Sequence, residues 1–167
     1  MKNNILFKTL VDILFFLQGF AFPGFLVLMP LGASASYNVH INFDVETWNI
    51  IHWGCLILSL IIYIVFLRGL YFLRKVARLL MSKKYFTQIF IITIKKSGVN
   101  LLISGTLYFI LIIGIWINKS FNNHLEITYN TNVIMPLFIC TIGLFFIIQS
   151  KTLTLAKVFK EENELTV

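Results

Sequence analysis

The residues of this chain best suited to chemistry are its lysines and arginines, because they are concentrated in one stretch. Eight of the fourteen lie between Arg68 and Lys96, a segment without aspartate or glutamate. Such a cationic group can bind lipid headgroups or the acidic surface of a protein. The candidate contacts for a partner or for lipid headgroups are Arg68, Arg74, Lys75, Arg78, Lys83, Lys84, Lys95 and Lys96.

A second group of residues could bind a divalent metal, since imidazole and carboxylate groups are common ligands. These residues lack the close spacing of a local metal motif such as His-x-x-x-His, so we expect solvated loop residues and no metal or other cofactor. The residues concerned are His40, His52, His124, Asp44, Glu46 and Glu126.

The sequence offers no candidate residues for enzymatic catalysis. The chain contains no nucleophile motif and no phosphate-binding glycine loop. Cys55 and Cys140 lie within apolar runs, which favours a packing role over a disulfide. Because these motifs are missing, we expect that the protein is not an enzyme. The net charge of +7 is concentrated beside apolar segments, so we expect no direct binding of nucleic acid.

The elements that carry these residues are apolar helices. Hydrophobic residues make up 58% of the 167 and charged residues only 13%, against about 45–50% and about 25% in soluble domains. This composition predicts an all-α, single-domain, polytopic membrane protein with four transmembrane helices. The predicted spans are 11–32, 50–67, 97–117 and 132–149.

The distribution of positive charge predicts the orientation. Thirteen of the fourteen lysines and arginines fall on the side of both termini and of the loop 68–96, and Lys119 alone falls on the other side. Both termini are therefore expected in the cytoplasm. Ala33-Ser34-Ala35 has the form of a signal-peptidase site, but the apolar stretch before it is too long, so we expect an uncleaved first span.

Three local patterns refine this scheme. The second helix is expected to continue beyond the membrane to Leu80 with one basic face, and Tyr85–Ile94 is expected to form an interfacial helix that leads into the third span. In the third span, Gly98 and Ser104-Gly105 are small enough for a neighbouring helix to approach closely.

The acidic residues have predicted partners. Asp12 is expected to pair with Lys8, one helical turn away, and the alternative is an intramembrane pair with Arg68. The tail, 151–167, is amphipathic and then acidic. We expect its carboxylates to contact the basic segment, which gives the candidate tail contacts Glu161, Glu162 and Glu164.

Two patches resemble a known family. The ending Lys160–Val167 and the central patch from Tyr85-Phe86-Thr87 to Lys95-Lys96-Ser97-Gly98 are similar to the bacterial membrane-protein family called domain of unknown function 2975. The resemblance implies a small bacterial inner-membrane protein. It also implies a regulatory association, because members are often encoded beside a small helix-turn-helix regulator.

Two functions are compatible with this sequence. The first is a non-enzymatic membrane component that engages a cytoplasmic partner through the basic loop and the C-terminal tail. The alternative is a membrane module that binds or exports a small apolar molecule.

Overall fold

Four long helices form the described part of the protein. The computed structural model describes the backbone of residues 2–32, 50–82, 86–121 and 133–165, and the side chains of residues 5–21, 54–55, 57–82, 86–117 and 133–164. In these ranges the regular structure is helical, as predicted. The helices are α1 (Lys2–Gly32), α2 (Ile50–Met81), α3 (Gln88–Phe121) and α4 (Ile134–Leu165).

Three of these helices are long and apolar enough to cross a membrane. The segments are Ile57–Met81, Gln88–Ile117 and Ile134–Glu164; the described side chains of α1, residues 5–21, do not include such a segment. Large apolar side chains such as Ile110, Leu144 and Ile148 are exposed on the helix surfaces. Because a soluble protein rarely exposes so much apolar surface, these faces indicate a membrane protein.

The helices pack in chain order. Extensive contacts join α1 to α2, α2 to α3 and α3 to α4, and the last of these contacts is the largest. The bend between α2 and α3 is short: α2 ends at Met81, and the carbonyl of Thr87 accepts hydrogen bonds from the amides of Phe90 and Ile91 at the start of α3. These two helices therefore form an antiparallel hairpin.

Glycines allow α3 and α4 to touch through their backbones. A Cβ on Gly98 would lie 2.7 Å from the carbonyl oxygen of Gly143, and a Cβ on Gly143 would lie 2.7 Å from the amide nitrogen of Leu102. A Cβ on Gly105 would lie 2.6 Å from the Sγ atom of Cys140. The predicted close approach at Gly98 and Gly105 is confirmed, and Cys140 has the packing role expected of it.

Buried polar side chains are hydrogen-bonded within this packing. The hydroxyl of Ser97 donates to the carbonyl of Gly69 across the α2–α3 contact, at 3.0 Å, and Ser104 donates to the carbonyl of Leu101. Among the described residues, no buried side-chain nitrogen or oxygen lacks a partner. The interior polar groups thus add specificity without leaving an unpaired donor in an apolar environment.

A buried apolar cluster lies at one end of the molecule. We call this the basic end, since it includes residues 68–82 of α2, 88–96 of α3 and 151–165 of α4, with their lysines and arginines. Val76 of α2 packs with Phe90 and Ile94 of α3, all at most 7% exposed, and Leu153 of α4 packs against them. The three helices therefore continue past the uncharged segments and enclose a core of their own.

The prediction of an interfacial helix at Tyr85–Ile94 is wrong. From Gln88 onward these residues form the first turns of the single helix α3. Phe90, Ile91 and Ile94 are buried, because α2 and α4 also extend to this level and cover them. A helix lying in the membrane surface would instead have turned this apolar face to lipid.

We predict that Gly143→Ala destabilises the protein by about 1–3 kcal/mol, since its methyl group would press on backbone atoms that cannot rotate away. Gly114→Ala is the matched control, because nothing lies within 4 Å of a Cβ at that position. Unfolding of the purified protein in mixed detergent, followed by circular dichroism, measures both. Equal stability of the two variants would contradict the close α3–α4 contact.

Candidate functional site at the basic end

The eight predicted basic contacts do not share one environment. Arg68, Lys75, Arg78, Lys95 and Lys96 are exposed, whereas Arg74 is only partly accessible. Lys83 and Lys84 lie outside the described residues. The segment thus forms a helical hairpin whose cations point in several directions, and Arg74 differs from the others by its contacts.

Arg74 is held by three side chains of α1. Its Nε atom lies 2.5 Å from the carboxylate of Asp12. Its guanidinium lies 5.2 Å from the ring centre of Phe15 and 4.8 Å from that of Phe16. An arginine covered by aromatic faces while it pairs with a carboxylate is shielded from water, which strengthens the ion pair.

The predicted pairing of Asp12 with Lys8 is therefore wrong, and so is the alternative with Arg68. Antiparallel packing of α1 on α2 brings Asp12 level with Arg74. Arg68 lies six residues earlier on α2, about 9 Å along the helix axis. The long, planar side chain of Arg74 can reach a carboxylate on the neighbouring helix.

A second contact joins α1 to α2 deeper in the apolar region. The hydroxyl of Tyr63 donates a hydrogen bond to the backbone carbonyl of Gln18. Val11, one residue before Asp12, is 2% exposed. Among the described side chains, the α1–α2 contact therefore combines an ion pair, hydrogen bonding and apolar burial.

A shallow pocket adjoins Arg74 on the surface of α2. Its volume is about 310 Å³, and it is lined by Tyr71, Arg74, Lys75, Arg78 and Leu79. These positions recur every three or four residues, so they form one stripe along the helix. Three cations beside a phenol ring can bind an anion.

On α3, Lys96 lies near the α2 contact. The Nζ atom of Lys96 lies 5.9 Å from the ring centre of Phe72, and Lys95 is exposed. The contact between Lys96 and Phe72 relates the two helices in height. Lys96 is the charged residue that borders the apolar part of α3. The charged part of α3 therefore begins at the height of Phe72 on α2.

The tail lies against the start of α3 through lysine. The Nζ atom of Lys157 is 3.5 Å from the side-chain oxygen of Gln88, and that of Lys160 is 5.7 Å from the ring centre of Phe86. Glu161 and Glu164 pair with these same lysines within α4, at 3.5 Å each. The tail thus contacts the hairpin through lysines, and the prediction that Glu161 and Glu164 contact the basic segment is wrong, because both pair with lysines of α4 itself.

The prediction about metal ligands concerns side chains that the structure does not describe. The side chains of His40, His52, His124, Asp44, Glu46 and Glu126 all lie outside the described residues. Among the side chains that the structure describes, no group of three histidine, cysteine, aspartate or glutamate residues could hold a metal ion.

Sequence reasoning missed the role of α1 in this site. Phe15 and Phe16 follow Asp12 by three and four residues, so all three share one face of a helix. That spacing is a signal for an arginine partner on another helix. Tyr71, which lines the pocket and packs 6.4 Å from Phe15 between ring centres, was missed as well.

Fold and site together define a helical membrane protein with a folded basic end. The chain belongs to a family described as protein of unknown function, DUF2975, whose sequence profile matches residues 39–167. The predicted family is thus confirmed, and the match includes α2, α3 and α4. No curated protein and no solved structure matches this chain significantly.

We predict that Asp12 and Arg74 are energetically coupled. In a double-mutant cycle of Asp12→Asn and Arg74→Gln, the interaction energy should be about 1–2 kcal/mol, because the pair is partly buried and covered by aromatic rings. The cycle is measured by unfolding in mixed detergent.

The control cycle uses Lys157→Gln and Glu161→Gln, an exposed pair within one helix. Its coupling should stay below about 0.5 kcal/mol. If the coupling energy of Asp12 and Arg74 did not exceed that of this control pair, the ion pair would not be what holds α1 on α2.

Proposed function

We propose that this chain is a non-enzymatic, four-span protein of the bacterial cytoplasmic membrane that binds a cytoplasmic protein through its basic end. The basic end comprises the hairpin and the C-terminal tail, and it would serve as a rigid docking platform. By association with its family, the partner class we favour is a small helix-turn-helix regulator.

Both termini are proposed to lie in the cytoplasm. Thirteen of fourteen lysines and arginines fall on that side in the four-span arrangement, and positive charge is retained in the cytoplasm. The length of α1, 31 residues, supports a first span, since about 20 helical residues cross a bilayer. Exposed Ile13, Leu17 and Phe20 on α1 also favour lipid contact.

The observation that carries the proposal is an exposed apolar stripe on the tail. Leu155, Val158 and Phe159 are 60%, 44% and 62% exposed and share one face of α4. Lys151 is the first charged residue after the apolar part of α4. Phe159 lies about 12 Å beyond it along the axis, farther than the roughly 5–8 Å depth of the headgroup layer.

A partner protein suits this stripe better than lipid does. Apolar side chains in water are stabilised by burial, and a large aromatic residue is a typical anchor in a protein interface. Lys157, Lys160 and their paired glutamates border the stripe, which resembles a polar rim around an apolar centre. The charged lining of the pocket on α2 does not favour the alternative of an apolar ligand.

The partner can be tested by photo-crosslinking in living cells. We expect a crosslinker at Val158 to form a discrete adduct with a cytoplasmic protein, and the double substitution Leu155→Ser with Phe159→Ser to abolish it. A crosslinker at Ile110, which is 61% exposed on the apolar part of α3, is the control and should capture lipid. Lipid adducts alone at Val158 would contradict a docking platform.

The topology can be tested separately by cysteine labelling in a variant without Cys55 and Cys140. Asn123→Cys should react with an impermeant maleimide in intact spheroplasts, because its loop is outside. Lys84→Cys and Val167→Cys should react only after lysis. Labelling of Val167→Cys in intact spheroplasts would contradict the four-span arrangement whatever the partner experiment gives.

A further inference from the structure

We propose that the pocket on α2 is a binding site for the phosphate of an anionic phospholipid headgroup. Its lining residues, Tyr71, Arg74, Lys75, Arg78 and Leu79, border a shallow, open depression of about 310 Å³. The site is separate from the tail stripe and does not depend on a protein partner.

The depth of the pocket favours lipid. Lys96 contacts Phe72, so charge on α3 begins at the level of Phe72 on α2. Tyr71 lies next to that level, and Arg74, Lys75 and Arg78 lie about 3–9 Å beyond it along the helix. The headgroup layer is roughly 5–8 Å deep, so Arg74 and Lys75 lie at the level of lipid phosphates. Arg78, about 9 Å beyond Phe72, lies at the outer edge of the layer, where its long side chain can reach back to them.

The chemistry of the lining matches a phosphate ester. Arginine offers a planar fork of donors for phosphate oxygens, and lysine adds a compact charge. Lys75 and Arg78 are exposed and are available for an anion. Tyr71, 53% exposed, has the amphipathic ring that suits the boundary between lipid chains and headgroups.

Arg74 connects the pocket to α1. Its Nε atom contacts Asp12 while the residue also lines the pocket, so a bound phosphate and the Asp12 carboxylate share one guanidinium. Asp12 thereby reduces the positive charge available to the ligand. Its removal should strengthen binding, which is opposite in sign to the loss of a pocket cation.

The test uses the full-length protein in phosphatidylcholine vesicles. Electron paramagnetic resonance gives the preference for spin-labelled phosphatidylglycerol over spin-labelled phosphatidylcholine. A cation held against the headgroup phosphate contributes about fivefold, so Lys75→Gln with Arg78→Gln should lower the preference about twenty-five-fold. Lys75→Arg with Arg78→Lys should retain it.

The matched control is Arg68→Gln with Lys151→Gln, which removes two exposed charges outside the pocket lining. We expect this variant to lose much less preference. An equal loss in the two charge-removed variants would overturn the pocket in favour of diffuse surface attraction. Asp12→Asn should raise the preference about fivefold; a fall or no change would overturn the sharing of Arg74.

Two measurements on the unsubstituted protein keep the proposal testable if a variant does not fold. If the unsubstituted protein shows no preference for phosphatidylglycerol over phosphatidylcholine, the proposal is overturned. Excess inorganic phosphate should leave the preference intact at constant ionic strength, because a lipid is held by its chains as well. Displacement by inorganic phosphate would overturn the choice of a lipid and indicate a site for free phosphate.

Discussion

The structure depends on the burial of apolar side chains that lie beyond the belt of positive charge. Beyond Arg68 and Lys96 the helices carry most of their lysines and arginines, yet α3 still has apolar residues such as Phe90 and Ile94 there. Packing against other helices shields these residues from water. The three helices therefore continue unbroken and enclose Val76, Phe90 and Ile94, so that the charged end of a membrane protein becomes a folded structure.

This arrangement requires that the helices keep one register over their length. Gly98 and Gly143 set that register where α3 and α4 touch, and the contact between Gln88 and Lys157 follows it at the other end. In lipid the attraction between helices comes from close packing, for which small residues are suited. A displacement of one turn at the glycines would shift Leu153 away from Ile94. The packing of α3 on α4 at the glycines and the packing of the basic end therefore depend on each other.

Much of this fold could be predicted from the sequence, because apolar length and charge partition are properties of single helices. The extension of α2 and the small residues of α3 were predicted in this way. The partner of Asp12 and the burial of Phe90 were not, since each depends on which helix lies alongside. Local spacing favoured Lys8 for Asp12, and only the packing of α1 on α2 brings Arg74 to it. The cations of the site were predicted, but Tyr71 and the pocket require the folded surface of α2.

The central claim is that Phe90, Ile91 and Ile94 of α3 are buried by packing against α2 and α4. Hydrogen–deuterium exchange of the full-length protein in nanodiscs tests it most directly, because amides of a stably packed helix exchange slowly and those of an unpacked helix end exchange fast. The account predicts that amides from Phe90 to Lys96 exchange as slowly as those of the apolar part of α3. Rapid exchange over Phe90–Lys96, alongside slow exchange from Ser97 onward, would contradict it.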